Sequence, residues 1–538
     1  MAGEQAFDVV IVGAGFSGLY MLHRLRQQGL SCRVYEAGTG VGGTWFWNRY
    51  PGARVDIESQ EYSYSFSPEL DAEWKWSERY ASQPELEAYL NHVADRFDLR
   101  SDIQLETRVT AARFDEGANR WTVNTDGGET VSARYCVMAT GCLSVANEIA
   151  FEGADSFKGP TWRTGSWPKE GVDFTGQTVA VIGTGSSAIQ SIPMIAAQAD
   201  HVTVFQRTPN FSVPAHNGPP NPDVVAEWAA NRAQYRAEAR ETGFGIRMVA
   251  MGEQPALEAT EAERKAAYEA RWQTGGFALL GAFADLITDV DANVTAAEFV
   301  REKIRGIVKD PATAEKLSPK TFPIGSKRLC VDTGYYATFN RDNVSLVDLR
   351  EEPITGITPA GVKTAEREYA VDAIVYAIGF DAMTGALGKI DIRGRGNQAL
   401  TDKWAAGPRT YLGLMIAGFP NLFIVTGPGS PSVLCNMAVA IEQHVEWISD
   451  CIAYMGQRQL GAIEATAAAQ DEWVAHVNEV ADTTVYPLAN SWYLGANVPG
   501  KPRVFMPYIG GFPVYRDKCN EVAANGYEGF ALSSDARA

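Results

Sequence analysis

A short β-branched run at residues 7–12 (FDVVIV) leads directly into Gly13-Ala14-Gly15-Phe16-Ser17-Gly18. A helical stretch (LYMLHRLRQQG) and a second strand-like run (CRVYE) follow. An unbroken apolar run of this kind suits a strand buried in a parallel sheet. Each glycine has its own use: Gly13 for the tight turn, Gly15 for backbone approach to a pyrophosphate, Gly18 for close helix–strand packing. The unit recurs as TVAVIG, Gly183-Thr184-Gly185-Ser186-Ser187-Ala188, the helical IQSIPMIAAQA and the strand-like HVTVFQR. Two βαβ units about 170 residues apart predict an α/β fold with two Rossmann-like dinucleotide-binding domains. A packing turn in another α/β fold is the competing reading of either cluster.

The two units differ where the second strand ends. Glu36, 18 residues after Gly18, is placed to accept hydrogen bonds from ribose hydroxyls. The same count from Ala188 reaches Gln206, followed by Arg207. A carboxylate there would repel a 2′-phosphate and an arginine could clamp it, so the second site is expected to take NADP(H), unless Arg207 is a solvated surface charge. Two unlike sites suggest a flavin in the first and a pyridine nucleotide in the second, with a hydride path between them. Disulfide reductases carry a C-x-x-C beside the flavin. The seven cysteines (Cys32, Cys136, Cys142, Cys330, Cys435, Cys451, Cys519) contain no such pair and no zinc spacing. Oxygen-activating flavoenzymes need neither.

Residues 215–325 change texture: VVAEWAANRAQYRAEARE and ATEAERKAAYEARW have helical spacing, and Thr260 with Glu263 has the form of a capping box. They read as a helical insertion whose Ala/Glu/Arg faces are solvated. Strand-like runs resume at YYATFNRDNVSLVDL and REYAVDAIVYAIGF. The expected division is 1–150 for the first part of the FAD domain, 151–215 and 326–380 for the NADPH domain, 216–325 for the insertion, and 381–538 for the rest of the FAD domain. Lysine plus arginine total 47 against 65 acidic residues, a net charge of −18. That balance argues against nucleic acid and membrane-surface partners. The sparse cysteines and the absence of a leader-like N-terminus point to the cytoplasm. Residues 410–441 form 32 uncharged positions, yet Pro420, Pro428 and Pro431 with Gly427 and Gly429 break any continuous helix. They read as buried core around a site.

Two further runs carry a resemblance: GGTWFWNRYPGARVD at 42–56 and FKGPTWRTGSWP at 157–168. With FQRTPNF, GSKR, WAAGPRTYLGL, GPGSPSVLCNM and SWYLGANVPGKPRVFM, they resemble type I Baeyer–Villiger monooxygenases over nearly the whole chain. Within that family the chain resembles the phenylacetone and steroid monooxygenases. The resemblance implies FAD contacts for Gly13, Gly15, Ser17, Gly18, Glu36, Thr44, Trp45, Arg54, Asp56, Tyr62, Val109 and Met437. It implies NADPH contacts for Gly183, Thr184, Gly185, Ser186, Ser187, Arg207, Thr208, Lys327 and Trp492. Arg328 would be the arginine beside the flavin that stabilises the peroxide, and Asp56 the carboxylate that pairs with it. Val433 and Leu434 would line an apolar ketone pocket. No metal is implied. One position departs: the family's fingerprint histidine is Arg163 here.

The activity implied is NADPH- and O2-dependent conversion of ketones to esters or lactones through a C4a-peroxyflavin, in a monomer or weak oligomer. A buried guanidinium supports it physically, because developing negative charge on oxygen is stabilised by a fixed cation. An N- or S-oxygenating flavin monooxygenase, a poorly coupled NADPH oxidase and a non-catalytic dinucleotide-binding protein are the alternatives.

Overall fold

The computed structural model describes Gln5–Ser534. Residues 1–4, which open the segment read as lacking a leader, lie outside the described residues.

Strand Gln5–Val12 pairs in parallel with Cys32–Tyr35 on one side and Thr130–Met138 on the other. Val9, Val10 and Ile11 are fully buried, as strands covered on both faces must be. This centre lies in an eight-stranded sheet, extended by Ile103–Gln104 at one edge and by Arg120–Thr125, Val109–Asp115 and Asp391–Arg393 at the other. Leu422–Ile424 adds alongside Thr130–Met138. A second sheet runs in the order Val344–Asp348, His201–Gln206, Thr178–Ile182, Ala373–Tyr376, Thr161–Arg163, every pair parallel. Each sheet sends a helix from a glycine turn, Phe16–Gln27 from the first and Ser186–Ala196 from the second. The fold is α/β with two Rossmann-like units. Between its strands His201–Gln206 and Val344–Asp348 the second unit is interrupted by helices: Pro222–Arg240, Glu261–Thr274, Val290–Ile307 and Pro311–Leu317. The Thr260–Glu263 capping box is formed.

Three local expectations are corrected. The run YYATFNRDNV does not begin as a strand: Tyr335–Thr338 is a single helical turn. Asp332 Oδ1 accepts the N–H groups of Gly334 (2.8 Å) and Tyr335 (2.9 Å), so side-chain capping overrides the β-propensity of tyrosine and threonine. The run REYAVDAIVY is two strands, Glu368–Ala370 in an antiparallel meander and Ala373–Tyr376 in the second sheet. The Ala/Glu/Arg helix Pro222–Arg240 is not solvated all round. Arg236 pairs with buried Asp71 (2.9 Å) and Arg240 with buried Glu442 (2.9 Å), so its arginines pin it to the first unit.

The uncharged stretch is core. Its strand Leu422–Ile424 is buried, and helix Met437–Gln457 begins at Asn436, whose side chain accepts the Ala438 N–H. No helix among the described residues is long and apolar enough to cross a membrane. On that helix His444 is fully buried. Its Nδ1 accepts the Thr426 N–H (2.9 Å), so the ring proton resides on Nε2 and is donated to the Tyr515 hydroxyl (3.0 Å), which donates to the Leu412 carbonyl (2.7 Å). Burial holds the His444 pKa down to about 3. The folded value lies below the unfolded one, near 6.5, so the stability it contributes is present above that pH and is lost as pH falls towards 3. The loss is about 1.4 kcal/mol per pH unit. Urea unfolding between pH 7 and 4 is expected to show His444→Gln flattening the acid side of the stability profile by about 1 kcal/mol per unit; parallel profiles would refute the assignment.

Candidate active site

The first glycine turn is shaped for close approach. Gly13 sits at φ +105°, and a Cβ there would lie 2.5 Å from the Ala139 carbonyl oxygen. Gly15 packs on Gly43, where a Cβ would come within 3.2 Å of its Cα, and the Gly42 N–H donates to the Ala14 carbonyl (3.0 Å). The paired glycines of GGTW thus close over the turn. Helix Phe16–Gln27, with Ser17 buried in its first turn, has no side-chain cap and no acid there, which leaves its N–H groups and positive dipole end for an anion. Glu36 is buried, and its two oxygens accept the N–H groups of Ala14 and Gly38, both at 2.8 Å. One lone pair on each remains for a diol. Val109 opens the strand two residues after Thr107, whose N–H donates to the Glu36 carbonyl (2.9 Å).

The second turn repeats the shape with different chemistry. Gly183 (φ +117°) abuts the Ala377 carbonyl, whereas a Cβ at Gly185 would meet only open space. Helix Ser186–Ala196 is likewise uncapped and free of acids in its first turn. Thr184 donates to the Thr208 carbonyl (2.8 Å) and Ser187 to Thr164 Oγ1 (3.1 Å), so both hydroxyls brace the turn from within. Arg207 is exposed at the end of strand His201–Gln206. Lys327 is half-buried over the Phe322 ring (4.7 Å), and burial, then the Arg207 charge, pull its pKa down. The two cations repel each other, and no carboxylate among the described residues is paired to Lys327.

Between the turns lies one ion pair. Arg328 donates from Nε to Asp56 Oδ2 (2.8 Å) and from Nη2 to Oδ1 (2.7 Å), a bidentate fork. Its Nη1 donates to the Val433 carbonyl (2.7 Å), Tyr493 hydrogen-bonds it, and its guanidinium lies 4.8 Å from the Phe277 ring centre. Burial alone would lower its pKa, but the Asp56 charge and hydrogen bonds carry it above the ordinary arginine value. It is a permanent cation. Burial pushes the Tyr62 hydroxyl up to about 12, with Asp56 and Arg328 both acting on it, and the Trp45 indole donates to Tyr62 (3.3 Å). Trp45 belongs to the one-turn helix Thr44–Trp47. On the other side Ser186 Oγ lies 3.4 Å from the sulfur of Cys330, two residues beyond Arg328. Contacts from each turn thus lead to residues near the ion pair in space or in sequence.

Val433 and Leu434 are buried with Tyr486, Tyr493, Phe505 and Met506, and half-buried Met437 and Trp492 pack on that cluster. Arg54 lies off this centre. Its guanidinium is tied to Glu78 (2.6 Å) and the Tyr80 carbonyl (3.0 Å), and its own carbonyl accepts from Gln190 of the second helix (3.1 Å). Tyr493 and Phe277 were missed. Tyr493 adjoins Trp492, but nothing in spacing marks a tyrosine as a partner for an arginine 165 positions earlier. Phe277 sits in a stretch whose composition reads only as helical insertion.

Comparison with known proteins places the molecule first by class. A family profile described as "Pyridine nucleotide-disulphide oxidoreductase" matches residues 10–239. Acetone monooxygenase (methyl acetate-forming) of Gordonia sp. (strain TY-5) is 43% identical over 98% of this chain and 99% of its own. A Baeyer–Villiger monooxygenase of Pseudooceanicola batsensis is 44% identical over 97% and 95%. A solved structure of oxidized steroid monooxygenase bound to NADP is 55% identical, covers 99% of this chain and 100% of its own, and has a TM-score of 0.95. The chain belongs to the type I Baeyer–Villiger monooxygenases.

The ion pair is also a stability element. Removing one partner of a buried pair costs about 3–5 kcal/mol because the other charge is left unpaired. With 22% of Arg328 and 26% of Asp56 still exposed, Asp56→Ala is expected to cost about 2 kcal/mol in urea unfolding. An unchanged midpoint would mean the pair contributes nothing to the fold.

Proposed function

We propose that the chain is an NADPH- and O2-dependent flavin monooxygenase that converts ketones to esters or lactones. The observation that supports this reading is the Arg328 guanidinium, forked on Asp56 and hydrogen-bonded to the Val433 carbonyl. The first turn, with Glu36 and the GGTW hairpin, fits FAD; the second, with Arg207 and Lys327, fits NADPH. Bound FAD supplies redox chemistry, taking a hydride from NADPH and activating O2 once reduced.

The protein's own groups supply position and charge. Inserting oxygen beside a ketone carbonyl brings negative charge onto oxygen in the transition state. A fixed cation there is worth about 3–4 kcal/mol, as an oxyanion donor is. Asp56 occupies one edge of the guanidinium and Val433 and Tyr493 part of the rest, so its remaining N–H is aimed rather than free to rotate. The apolar side chains around Val433 and Leu434 exclude water and accept the hydrocarbon part of a ketone. Such walls discriminate shape weakly, which suits aryl, cyclic or steroidal ketones. The five-segment division of the chain and the nucleotide contacts named from the sequence belong to the same proposal.

A panel of phenylacetone, cyclohexanone and progesterone with NADPH, read by gas chromatography, tests the reading. Arg328→Ala is expected to lose ester or lactone formation by about 10²–10³-fold while NADPH still bleaches the flavin. If Arg328→Ala kept full activity on sulfides and the native protein oxidised no ketone, the N- or S-oxygenating reading would replace this one.

Arg163 closes the edge strand Thr161–Arg163, and neighbouring Thr164 receives the Ser187 hydroxyl of the second nucleotide helix. An arginine and a histidine differ at such a position, since the imidazole changes charge near neutral pH. Catalysis with looser coupling is expected, with more hydrogen peroxide per NADPH in the native chain than in Arg163→His; equal ratios would remove the idea.

A further inference from the structure

Glu61 is a buried carboxylate to which the proposed chemistry gives no part. It is 2% exposed, on the segment that carries Asp56 and Tyr62. Its Oε2 accepts the Arg247 N–H (2.7 Å) and its Oε1 the Met248 N–H (3.1 Å), so both oxygens close on consecutive amides of the loop after helix Pro222–Arg240. Its own carbonyl accepts the Asn436 side-chain amide (2.8 Å). Asn436 in turn donates its backbone N–H to the Phe244 carbonyl (2.8 Å) and caps helix Met437–Gln457. Gly245, at φ +65°, presses so closely on Cys435 that a Cβ would meet the sulfur at 2.6 Å. The loop 242–248 therefore lies against residues 435–436 and is fastened there from a third segment by one carboxylate.

Three residues upstream of Asn436, the Val433 carbonyl holds Arg328. The segment 56–62 thus grips the guanidinium at one end, through Asp56, and at the other end the loop against which the Val433 turn rests.

We propose that Glu61 is a positioning residue which, by clamping loop 242–248 onto residues 433–436, fixes the Val433 carbonyl and with it the angle at which Arg328 is presented. This rests on the functional reading above for its catalytic consequence, though not for the clamp itself. Glu61 does not touch the reacting groups.

The clamp carries a proton dependence. Burial is the largest influence on Glu61 and pushes it up to about 7, against the two backbone N–H donors and the Arg236 charge, which lower it. The charged groups around it are Glu58 on its own segment and, from the helix Pro222–Arg240, Arg236, whose Nη1 also reaches the Glu61 carbonyl (3.3 Å) and which is paired with Asp71. Arg247 of the clamped loop turns its guanidinium away to Glu238 (2.6 Å), and neutral Tyr80 lies beyond. Opening the loop returns Glu61 to water and to an ordinary carboxylate value. The closed state therefore holds the proton more tightly, and closure is favoured below neutral pH and weakened as pH rises through 7.

Amide hydrogen exchange on the FAD-loaded enzyme reads the clamp without turnover. In the native protein the Arg247 and Met248 amides, corrected for intrinsic exchange, are expected to open roughly 10- to 100-fold more at pH 8 than at pH 5. Glu61→Ala is expected to abolish that dependence and leave both amides less protected than in the native protein at pH 5. In the same variant the KM for phenylacetone is expected to rise about tenfold while NADPH bleaches the flavin within twofold of the native rate. Glu61→Asp, too short to reach both amides, is expected to fall between the two. Flat exchange across this pH range in the native protein overturns the proposal, and that measurement needs no variant to fold. Native-like protection and KM in Glu61→Ala overturn it equally. A native enzyme with the exchange inflection but no product from any ketone would sink the functional reading and leave the clamp standing. Flat exchange in an enzyme that turns over ketones would sink the clamp alone.

Discussion

The bidentate contact between Arg328 and Asp56 joins residues 272 positions apart and is the point on which the two halves of the molecule converge. A guanidinium with less than a quarter of its side chain exposed is tolerable only when its charge is matched and its donors are used. Asp56 does both with one planar fork, and a lysine in its place could not. The carboxylate comes from the segment that follows the GGTW hairpin on the first glycine turn; the guanidinium precedes strand Cys330–Asp332, against which the second nucleotide helix begins. Separating the halves would strand both charges. Their mutual orientation is therefore set by electrostatics as much as by apolar packing.

The two glycine turns apply the same backbone physics to different ligands. In both, a positive-φ glycine lets a helix start hard against a strand end with its first N–H groups unclaimed. What separates them is one position. Buried Glu36 is a carboxylate anchored by two N–H groups, whereas the second unit has exposed Arg207 and half-buried Lys327. Lys327 feels the repulsion of Arg207 with no paired carboxylate among the described residues, and an anion beside both would relieve it.

How much of this could be read beforehand follows from the range of the forces involved. The glycine turns, Glu36, the capping box at Thr260 and the break-up of the uncharged stretch are local consequences of φ, capping and periodicity, and all were legible in consecutive residues. Tyr335–Thr338 was not, because its helical turn depends on Asp332 choosing the backbone rather than solvent, a contest that propensities do not decide. Nor were the docked arginines of helix Pro222–Arg240. An Ala/Glu/Arg pattern looks the same whether its cations meet water or meet Asp71 and Glu442, and those acids are 165 and 202 residues distant. Tyr493, Phe277 and Glu61 were hidden for the same reason: their partners are brought together only by tertiary packing. Resemblance to a family supplied Arg328 and Asp56 where spacing alone would have left a basic dipeptide and an unrelated acid.

The overall charge sharpens the point. A chain at −18 ought to repel an anionic nucleotide, yet the groups around the second turn include Arg207, Lys327 and Arg328. At physiological salt the Debye length is about 8 Å, so acids scattered over the surface beyond that distance scarcely reach the cleft. Inside it, where burial already pulls the Lys327 pKa down, each cation acts at shorter range and lower effective dielectric. Net charge, which argues against nucleic acid as a partner, therefore carries no information about a small anion. That distinction rests on three side chains, and only one of them, Arg328, has its charge matched by the protein itself.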